Sequence, residues 1–254
     1  MSGQVIIVGL GPGDPEHTTP AASDALAGAD HIVGYATYLD RVPQRVGQVR
    51  HASDNREELA RARHALSLAQ DGASVAIVSS GDAGVYAMAS TVFEALDADR
   101  EATRDVDVSV IPGVTAMVAA AARLGAPLGH DFCAISLSDN LKPWSTIVKR
   151  LEAATAADFV LALYNPVSRA RPWQLGEAFA ILRKTRSPAT PVAFATAISR
   201  ADENIEITTL GEADPTRADM RTLVIVGSST TRCLERTGKA PWVYTPRRAE
   251  AVAP

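Results

Sequence analysis

The sequence is short of cysteine and of long apolar segments. Only two cysteines, Cys133 and Cys233, occur in 254 residues, so a cysteine-based zinc or iron–sulfur site is not expected. Two isolated thiols fit a reducing compartment. The longest apolar runs, residues 114–122 and 159–163, are too short to span a bilayer, and no export signal is visible. We therefore expect a cytoplasmic protein with no metal and no membrane partner.

Positive charge is not in excess either. The chain has 25 Lys and Arg against 29 Asp and Glu, a net charge of −4, and its basic residues are scattered. This balance argues against a general nucleic-acid-binding protein. The hydrophobic content of 46% and the charged content of 21% are typical of a soluble globular protein. The length allows one large domain or two small ones.

Strand and helix patterns alternate along the whole chain. Continuous apolar runs at residues 75–78, 159–163 and 223–226 predict strands that are buried on both faces. Apolar residues at helical spacing predict three amphipathic helices between such strands. Their apolar faces are Leu59, Ala62, Leu66 and Ala69; Trp144, Ile147, Val148 and Leu151; and Leu175, Ala178, Phe179 and Leu182. Trp144 and Trp173 are both expected in the core. The pattern predicts an α/β fold.

Two breaks suggest where the chain divides. Residues 111–113 and 125–129 are rich in glycine and proline, and between them residues 114–124 form a helical segment with five alanines. Small side chains allow a helix to pack closely, as a domain junction requires. We predict an N-terminal α/β domain of residues 1–112 and a C-terminal α/β domain of residues 113–254, with a cleft between them.

The first strand leads into a glycine-rich loop that departs from a dinucleotide-binding loop. Glycines alternate from position 9 to position 13, but the place of the third Rossmann glycine holds Asp14, flanked by Pro12 and Pro15. The prolines remove N–H donors, and the carboxylate would repel a pyrophosphate. The loop favours close backbone approach to another kind of ligand. A tight turn that binds nothing is the alternative.

Two more glycine-containing turns follow predicted strands. Residues 79–86 carry Asp82 between Gly81 and Gly84, and residues 112–116 open the alanine-rich helix. Carboxyl ends of parallel strands meet at one edge of a sheet, where open α/β folds bind ligands. Convergence of three such turns therefore predicts a ligand site.

These turns carry a family resemblance. Residues 8–14, 81–86 and 112–116 resemble, in order and spacing, the motifs of the tetrapyrrole methylases, which are S-adenosylmethionine-dependent enzymes of sirohaem and cobalamin biosynthesis. The resemblance covers essentially the whole chain. The stretches 135–144, 163–169 and 219–229 narrow it to the branch that methylates C17 of precorrin-3B.

The resemblance implies a two-domain tetrapyrrole methylase fold, a homodimer, and S-adenosyl-L-methionine as cosubstrate, with S-adenosyl-L-homocysteine as its product. It also implies that precorrin-3B is converted to precorrin-4 by ring contraction. The absence of a cysteine-rich iron–sulfur domain favours the cobalt-free substrate. The positions that match the family's donor site are Gly11, Pro12, Ser80, Gly81, Asp82, Val85, Thr115, Ala116, Tyr164, Asn165 and Ala197.

Ring contraction would benefit from a general acid near the migrating oxygen. The candidates are Asp82, His130 and Asp139, with Tyr164 as a further possibility. A surface-turn role for His130 and a helix-capping role for Asp139 are the alternatives. The side chains that could meet the substrate's carboxylates are Lys142, Arg169, Arg171 and Arg200.

Three other functions stay open at this point. The chain could methylate another ring position of a precorrin, such as C11 or C2. It could also bind a tetrapyrrole without catalysis and hand it on. A nucleotide-dependent dehydrogenase is the weakest alternative, because the first loop lacks the geometry that the pyrophosphate needs.

Overall fold

The computed structural model describes residues 3–54 and 57–248. The chain divides into two compact units, Met1–Thr115 and Ala116–Pro254. Each unit combines a five-stranded sheet with helices, which confirms the predicted α/β class. Among the described residues, no helix combines the length and the apolar character needed to cross a membrane.

The first unit contains an entirely parallel sheet. Its strands are β1 (Gln4–Gly9), β2 (His31–Tyr35), β3 (Val49–Ser53), β4 (Ser74–Ser79) and β5 (Asp107–Ile111), in the order β3-β2-β4-β1-β5. Its helices are α1 (Pro20–Gly28), α2 (Ala36–Leu39), α3 (Glu58–Gln70), α4 (Met88–Ala98) and α5 (Arg100–Thr103). Because all strands run in the same direction, the loops after β4, β1 and β5 leave the same sheet edge side by side.

Local signals explain where helices of this unit begin. Thr19 precedes α1, its hydroxyl accepts a hydrogen bond from the Ala22 N–H (3.1 Å), and Pro20 occupies the first turn. The Asp54 N–H donates to the Glu57 carboxylate (3.0 Å), which is one half of the expected capping box. Both signals can be read from the sequence.

The second unit has a mixed sheet. It begins with α6 (Ala116–Leu124) and β6 (Gly125–Ala126). The main strands are β7 (Phe132–Ser136), β8 (Val160–Tyr164), β9 (Pro191–Thr196), β10 (Asn204–Thr209) and β11 (Thr222–Val226), in the order β10-β9-β11-β8-β7. The helices α7 (Trp144–Ala156) and α8 (Gln174–Leu182) pack on this sheet, and β12 (Arg232–Arg236) and β13 (Lys239–Tyr244) pair with β6. Only β7 and β8 pair in parallel; β11 runs opposite to both β8 and β9.

The apolar faces predicted for α7 and α8 are confirmed. Ile147 and Leu151 of α7 are fully buried, as are Leu175, Phe179 and Leu182 of α8. They share one core with the strands of the second unit. The runs 75–78 and 223–226 also lie in fully buried strands.

Three details differ from the sequence-based expectation. Leu59 is 42% exposed rather than part of the α3 core face, because it lies in the first turn of that helix. The alanine-rich helix begins at Ala116, two residues later than expected, because residues 113–115 continue the loop that follows β5. Trp173 is 45% exposed, and its ring meets that of Trp144 edge-on at 4.9 Å.

Replacement of a fully buried aromatic ring tests the core of the second unit. Phe179 is 0% exposed and packs edge-to-face on Phe194. Phe179→Ala is expected to lower the free energy of unfolding by about 3–5 kcal/mol, through lost burial and a residual cavity. Urea denaturation followed by circular dichroism measures the change. Leu141→Ala, at a side chain 93% exposed, is the control and should stay within about 0.5 kcal/mol of the parent; equal effects would contradict this core assignment.

Candidate functional site

Three loops of the first unit touch through their main chains at the carboxyl edge of the parallel sheet. The Gly11 N–H donates to the Gly81 carbonyl (3.1 Å), and the Gly81 N–H donates back to the Gly11 carbonyl (2.8 Å). Both residues have positive φ, 72° and 69°, a conformation that glycine adopts without steric cost. The loops after β1 and β4 are therefore fastened to each other at two predicted site residues.

The loop after β5 approaches the same point through glycines that have no room for a side chain. A methyl group on Gly9 would lie 2.6 Å from the Gly113 nitrogen and 2.8 Å from the Gly81 oxygen. A methyl group on Gly113 would lie 2.8 Å from the Gly9 oxygen and would also collide with the Gly81 oxygen. Gly9, Gly81 and Gly113 therefore form a backbone contact, which we call the triple-glycine contact. The predicted convergence of three turns is present within this unit.

Asp82 connects two of these loops with its carboxylate. One oxygen accepts a hydrogen bond from the Gly84 N–H (2.8 Å), and the other accepts one from the Gly113 N–H (3.0 Å). A carboxylate that accepts two main-chain bonds is held in its ionised form as an acceptor. This arrangement gives Asp82 a loop-fastening role, while its predicted role as a general acid stays a prediction.

Arg41 completes the loop cluster, and sequence reasoning missed it. Its guanidinium donates to the carbonyls of Leu10 and Gly11, both at 2.9 Å, and to the Ser80 hydroxyl at 3.1 Å. It thereby binds the loops after β1 and β4 from the side of α2. No local motif marks this arginine, since its partners lie about 30 and 39 residues away along the chain.

The rest of the first loop fits its sequence. The Asp14 carboxylate accepts a hydrogen bond from the Glu16 N–H (2.9 Å) and caps the single 3-10 turn Pro15–His17. Pro12 is buried, and Val85 is half-buried in the loop after β4. The first α-helix begins only at Pro20, so no α-helix opens within the glycine loop.

In the second unit, predicted site residues lie at the edge where β8 and β9 end. The Tyr164 hydroxyl accepts a hydrogen bond from the Met117 N–H (3.2 Å), which places the start of α6, including Ala116, at this edge. The Asn165 amide donates to the Ser136 hydroxyl (3.0 Å) and so connects the ends of β7 and β8. Ala197 follows β9, and its N–H donates to the Arg221 carbonyl (3.1 Å).

Backbone strain is concentrated in the same loops. Asn165 and Ala197 both have a φ of 51°, and Ser199 has a φ of 62°. Left-handed geometry costs a residue with a Cβ atom of the order of 1–3 kcal/mol and is common at ligand sites. In the first unit, Tyr86 has a φ of 53° in the loop after β4. These conformations mark the ends of β4, β8 and β9 as functional candidates.

Asp139 lies beyond β7 at the same edge as Tyr164. Its carboxylate accepts a hydrogen bond from the buried Gln174 amide (3.2 Å), and the Arg171 Nε lies 3.9 Å away. The capping alternative for Asp139 is wrong, because the N-cap of α7 is Pro143 and no side chain caps it. Burial lowers the pKa of the neighbouring Lys142 ammonium, and Arg150 adds to this while Asp139 opposes it.

His130 is not brought to this edge. It precedes the first residue of β7, whereas Asp139 follows the last one, so five strand residues separate their ends of the sheet. At about 3.3 Å per residue this strand is roughly 17 Å long. The His130 Nδ1 accepts a hydrogen bond from the Asp131 N–H (2.7 Å), which fits the surface-turn alternative.

Comparisons with known proteins agree with the geometry. Residues 4–214 match the family model described as tetrapyrrole (corrin/porphyrin) methylases. The chain is 56% identical over 97% of its length to a precorrin-3B C(17)-methyltransferase of a Sinorhizobium species, covering 97% of that protein. It is 44% identical over 94% of its length to a probable cobalt-factor III C(17)-methyltransferase of Salmonella typhimurium, covering 98% of that protein.

A solved structure gives the same result for the fold. The crystal structure of the methyltransferase CobJ superposes with a TM-score of 0.91 at 50% identity, covering 96% of this chain and all of that one (100%). Motifs, sheet topology and whole-length similarity thus agree, and the chain belongs to the tetrapyrrole (corrin/porphyrin) methylases.

Proposed function

We propose that this protein transfers a methyl group from S-adenosyl-L-methionine to C17 of precorrin-3B and contracts the macrocycle to that of precorrin-4. The observation that carries the proposal is the 56% identity, over 97% of both chains, to a precorrin-3B C(17)-methyltransferase. At that level of similarity, the strand-end loops that distinguish methylases from one another are compared directly and not only through a shared fold.

The described loops fit the methyl donor. The triple-glycine contact leaves main chain, and not side chains, at the surface of the loop edge. Asp82 is a carboxylate near this edge, and a carboxylate favours a sulfonium cation while it would repel a pyrophosphate. When bound, S-adenosyl-L-methionine supplies a methyl group already activated by its positive sulfur. The protein then needs chiefly to align donor and acceptor.

The residues proposed to hold the donor keep their predicted assignment. As the family resemblance implies, residues of both units contribute to its binding. The first group is Gly11, Pro12, Ser80, Gly81, Asp82, Val85 and Thr115, and the second is Ala116, Tyr164, Asn165 and Ala197. The main-chain contacts at Gly81 and the strained backbone at Asn165 and Ala197 support these two groups.

Asp139 is the strongest of the candidate general acids. Its carboxylate is held by Gln174, its side chain is 26% exposed, and it lies at the edge that carries Tyr164. Asp82 has both oxygens engaged by main-chain donors, and His130 lies at the opposite end of β7. We assign protonation of the migrating oxygen to Asp139. We also expect a cytoplasmic homodimer, in line with the family resemblance.

The proposal is tested by turnover with a donor that carries a 13C-labelled methyl group. Purified protein is expected to convert precorrin-3B to a ring-contracted product with one added label at C17, identified by mass spectrometry and NMR. The matched arm offers cobalt-factor III, because one relative carries that name. Faster turnover of the cobalt form would move the proposal to the cobalt-containing substrate. Label at another carbon, or binding without turnover, would overturn it.

Gly113→Ala tests the triple-glycine contact. The added methyl group would collide with the main chain of Gly9 and Gly81, so the loops must separate. The affinity for S-adenosyl-L-homocysteine, measured by calorimetry, is expected to fall about tenfold or more, the equivalent of about 1.4 kcal/mol. Gly28→Ala is the control, because a methyl group there meets nothing within 4 Å. Unchanged affinity in Gly113→Ala would show that the contact is dispensable.

Asp82→Asn separates loop fastening from acid catalysis. An amide can accept only one of the two main-chain bonds, so a buried N–H loses its partner at a cost of about 1–3 kcal/mol. We expect the dissociation constant of S-adenosyl-L-homocysteine to rise about tenfold. Asp14→Asn, which alters an exposed capping carboxylate, should bind normally. If Asp82→Asn lowers kcat and leaves binding intact, the fastening role is wrong and the catalytic role gains support.

A further inference from the structure

Three histidines form a hydrogen-bonded line in the first unit, away from the glycine loops. The Nδ1 of His31 and the Nε2 of His51 are 2.9 Å apart, and the Nδ1 of His51 and the Nε2 of His64 are also 2.9 Å apart. Neighbouring ring centres are separated by 5.1 and 4.7 Å. His31 lies on β2, His51 on the edge strand β3 and His64 on α3. We call this line the histidine chain; it connects three elements through imidazole nitrogens.

Few other charged groups surround the histidine chain. A cavity of about 400 Å³ beside it is lined by His51, His64, Glu57 and Arg61, among other residues. Arg61 of α3 is buried and donates to the Ser53 hydroxyl (2.7 Å) and the Asp54 carbonyl (2.6 Å). The Glu57 carboxylate accepts the Asp54 N–H.

The charges near His51 give it no adjacent carboxylate partner among its printed contacts. Arg50, its neighbour on β3, donates to main-chain oxygens of residues 39, 42 and 43. Asp54, Glu57 and Glu58 act on the Arg61 guanidinium. Burial lowers the pKa of His51, and the charges of His64 and His31 lower it further.

The number of protons that the histidine chain holds is set by its two nitrogen–nitrogen contacts. Each contact needs one N–H and one bare nitrogen. With all rings neutral, both contacts are satisfied. One added proton is also accommodated, because a charged His51 donates to both neighbours.

A second added proton breaks the arrangement. If His31 and His64 are both charged, each of their facing nitrogens carries a proton, and His51 would have to accept at both of its nitrogens. A neutral imidazole has only one bare nitrogen, so one contact must open. This count holds for every choice of tautomers.

Hydrogen bonds connect β3 to the glycine loops. Arg50 donates to the carbonyls of Leu39 (2.9 Å), Val42 (2.7 Å) and Pro43 (2.8 Å), so β3 holds the segment that carries Arg41. Arg41 in turn holds the carbonyls of residues 10 and 11 and the Ser80 hydroxyl. Displacement of β3 therefore reaches the proposed donor site through two guanidinium groups.

We propose that the histidine chain is a proton-sensitive fastening of β3, which opens in mildly acidic solution and weakens methyl-donor binding at the glycine loops. The donor-binding half of this inference rests on the proposed function. The sign follows from proton counting. The folded chain resists full protonation while the unfolded histidines do not, so the folded state binds fewer protons, and its stability falls as the pH drops below the ordinary histidine pKa of 6.5.

The test compares the wild type with His31→Gln/His64→Gln. Glutamine donates or accepts towards His51 but cannot be charged, so the line keeps both contacts and tolerates one proton on His51. Calorimetry with S-adenosyl-L-homocysteine at about pH 7.5 and about pH 5.5 is expected to show about fivefold weaker binding at acid pH in the wild type, the equivalent of one net hydrogen bond. The double variant should show little change. Arg63→Gln, at an exposed cation of α3 outside the line, should behave as the wild type.

Urea unfolding at the same two pH values separates the two hypotheses. Loss of stability in acid that is larger in the wild type than in the double variant supports the fastening, even if the protein binds no S-adenosyl-L-homocysteine at neutral pH, which would count against the proposed function alone. Equal acid sensitivity of unfolding in both proteins would overturn the fastening. A preserved acid effect on binding in the double variant would overturn its coupling to the donor site.

Discussion

The close approach of three backbones at Gly9, Gly81 and Gly113 is the constraint on which the first unit's site depends. It requires that the strands before these loops be neighbours and run in the same direction, as β4, β1 and β5 do. It also excludes every side chain at two of the positions, because a Cβ would overlap main-chain atoms. A loop edge made of main chain presents fixed carbonyl and amide dipoles, which recognise a ligand without the entropy cost of ordering long side chains.

Such an edge leaves main-chain groups that need partners, and two charged side chains provide them. Asp82 accepts two N–H groups, and Arg41 donates to carbonyls of the first loop. Charge-assisted bonds are stronger than neutral ones, so a single residue of each sign can hold several loops. The carboxylate faces amides and the guanidinium faces carbonyls. The two charges therefore act on different loop pairs and complement each other.

The sequence predicts those parts that local pattern determines. The buried strands at 75–78 and 223–226, the faces of α7 and α8, and the glycine turns follow from periodicity and turn chemistry. The contacts of Arg41 and Gln174 do not, because each joins residues more than 25 positions apart and neither carries a local signal. The start of the helix at Ala116 was placed early, since the loop contact at Gly113 overrides the helical preference of the residues after it.

The position of β3 in the sheet explains why side chains must fasten it. In this unit β3 is an edge strand with one hydrogen-bonded neighbour, so half of its main-chain groups receive no partner from the sheet. Arg50 reaches from one face of β3 to the segment after α2, and His51, the next residue, points to the other face and reaches α3. Alternation along the strand thus gives one residue to each neighbouring layer. Because the segment held by Arg50 also supplies Arg41, the edge of the sheet and the glycine loops near its centre are joined by side chains and not by the strand ladder alone.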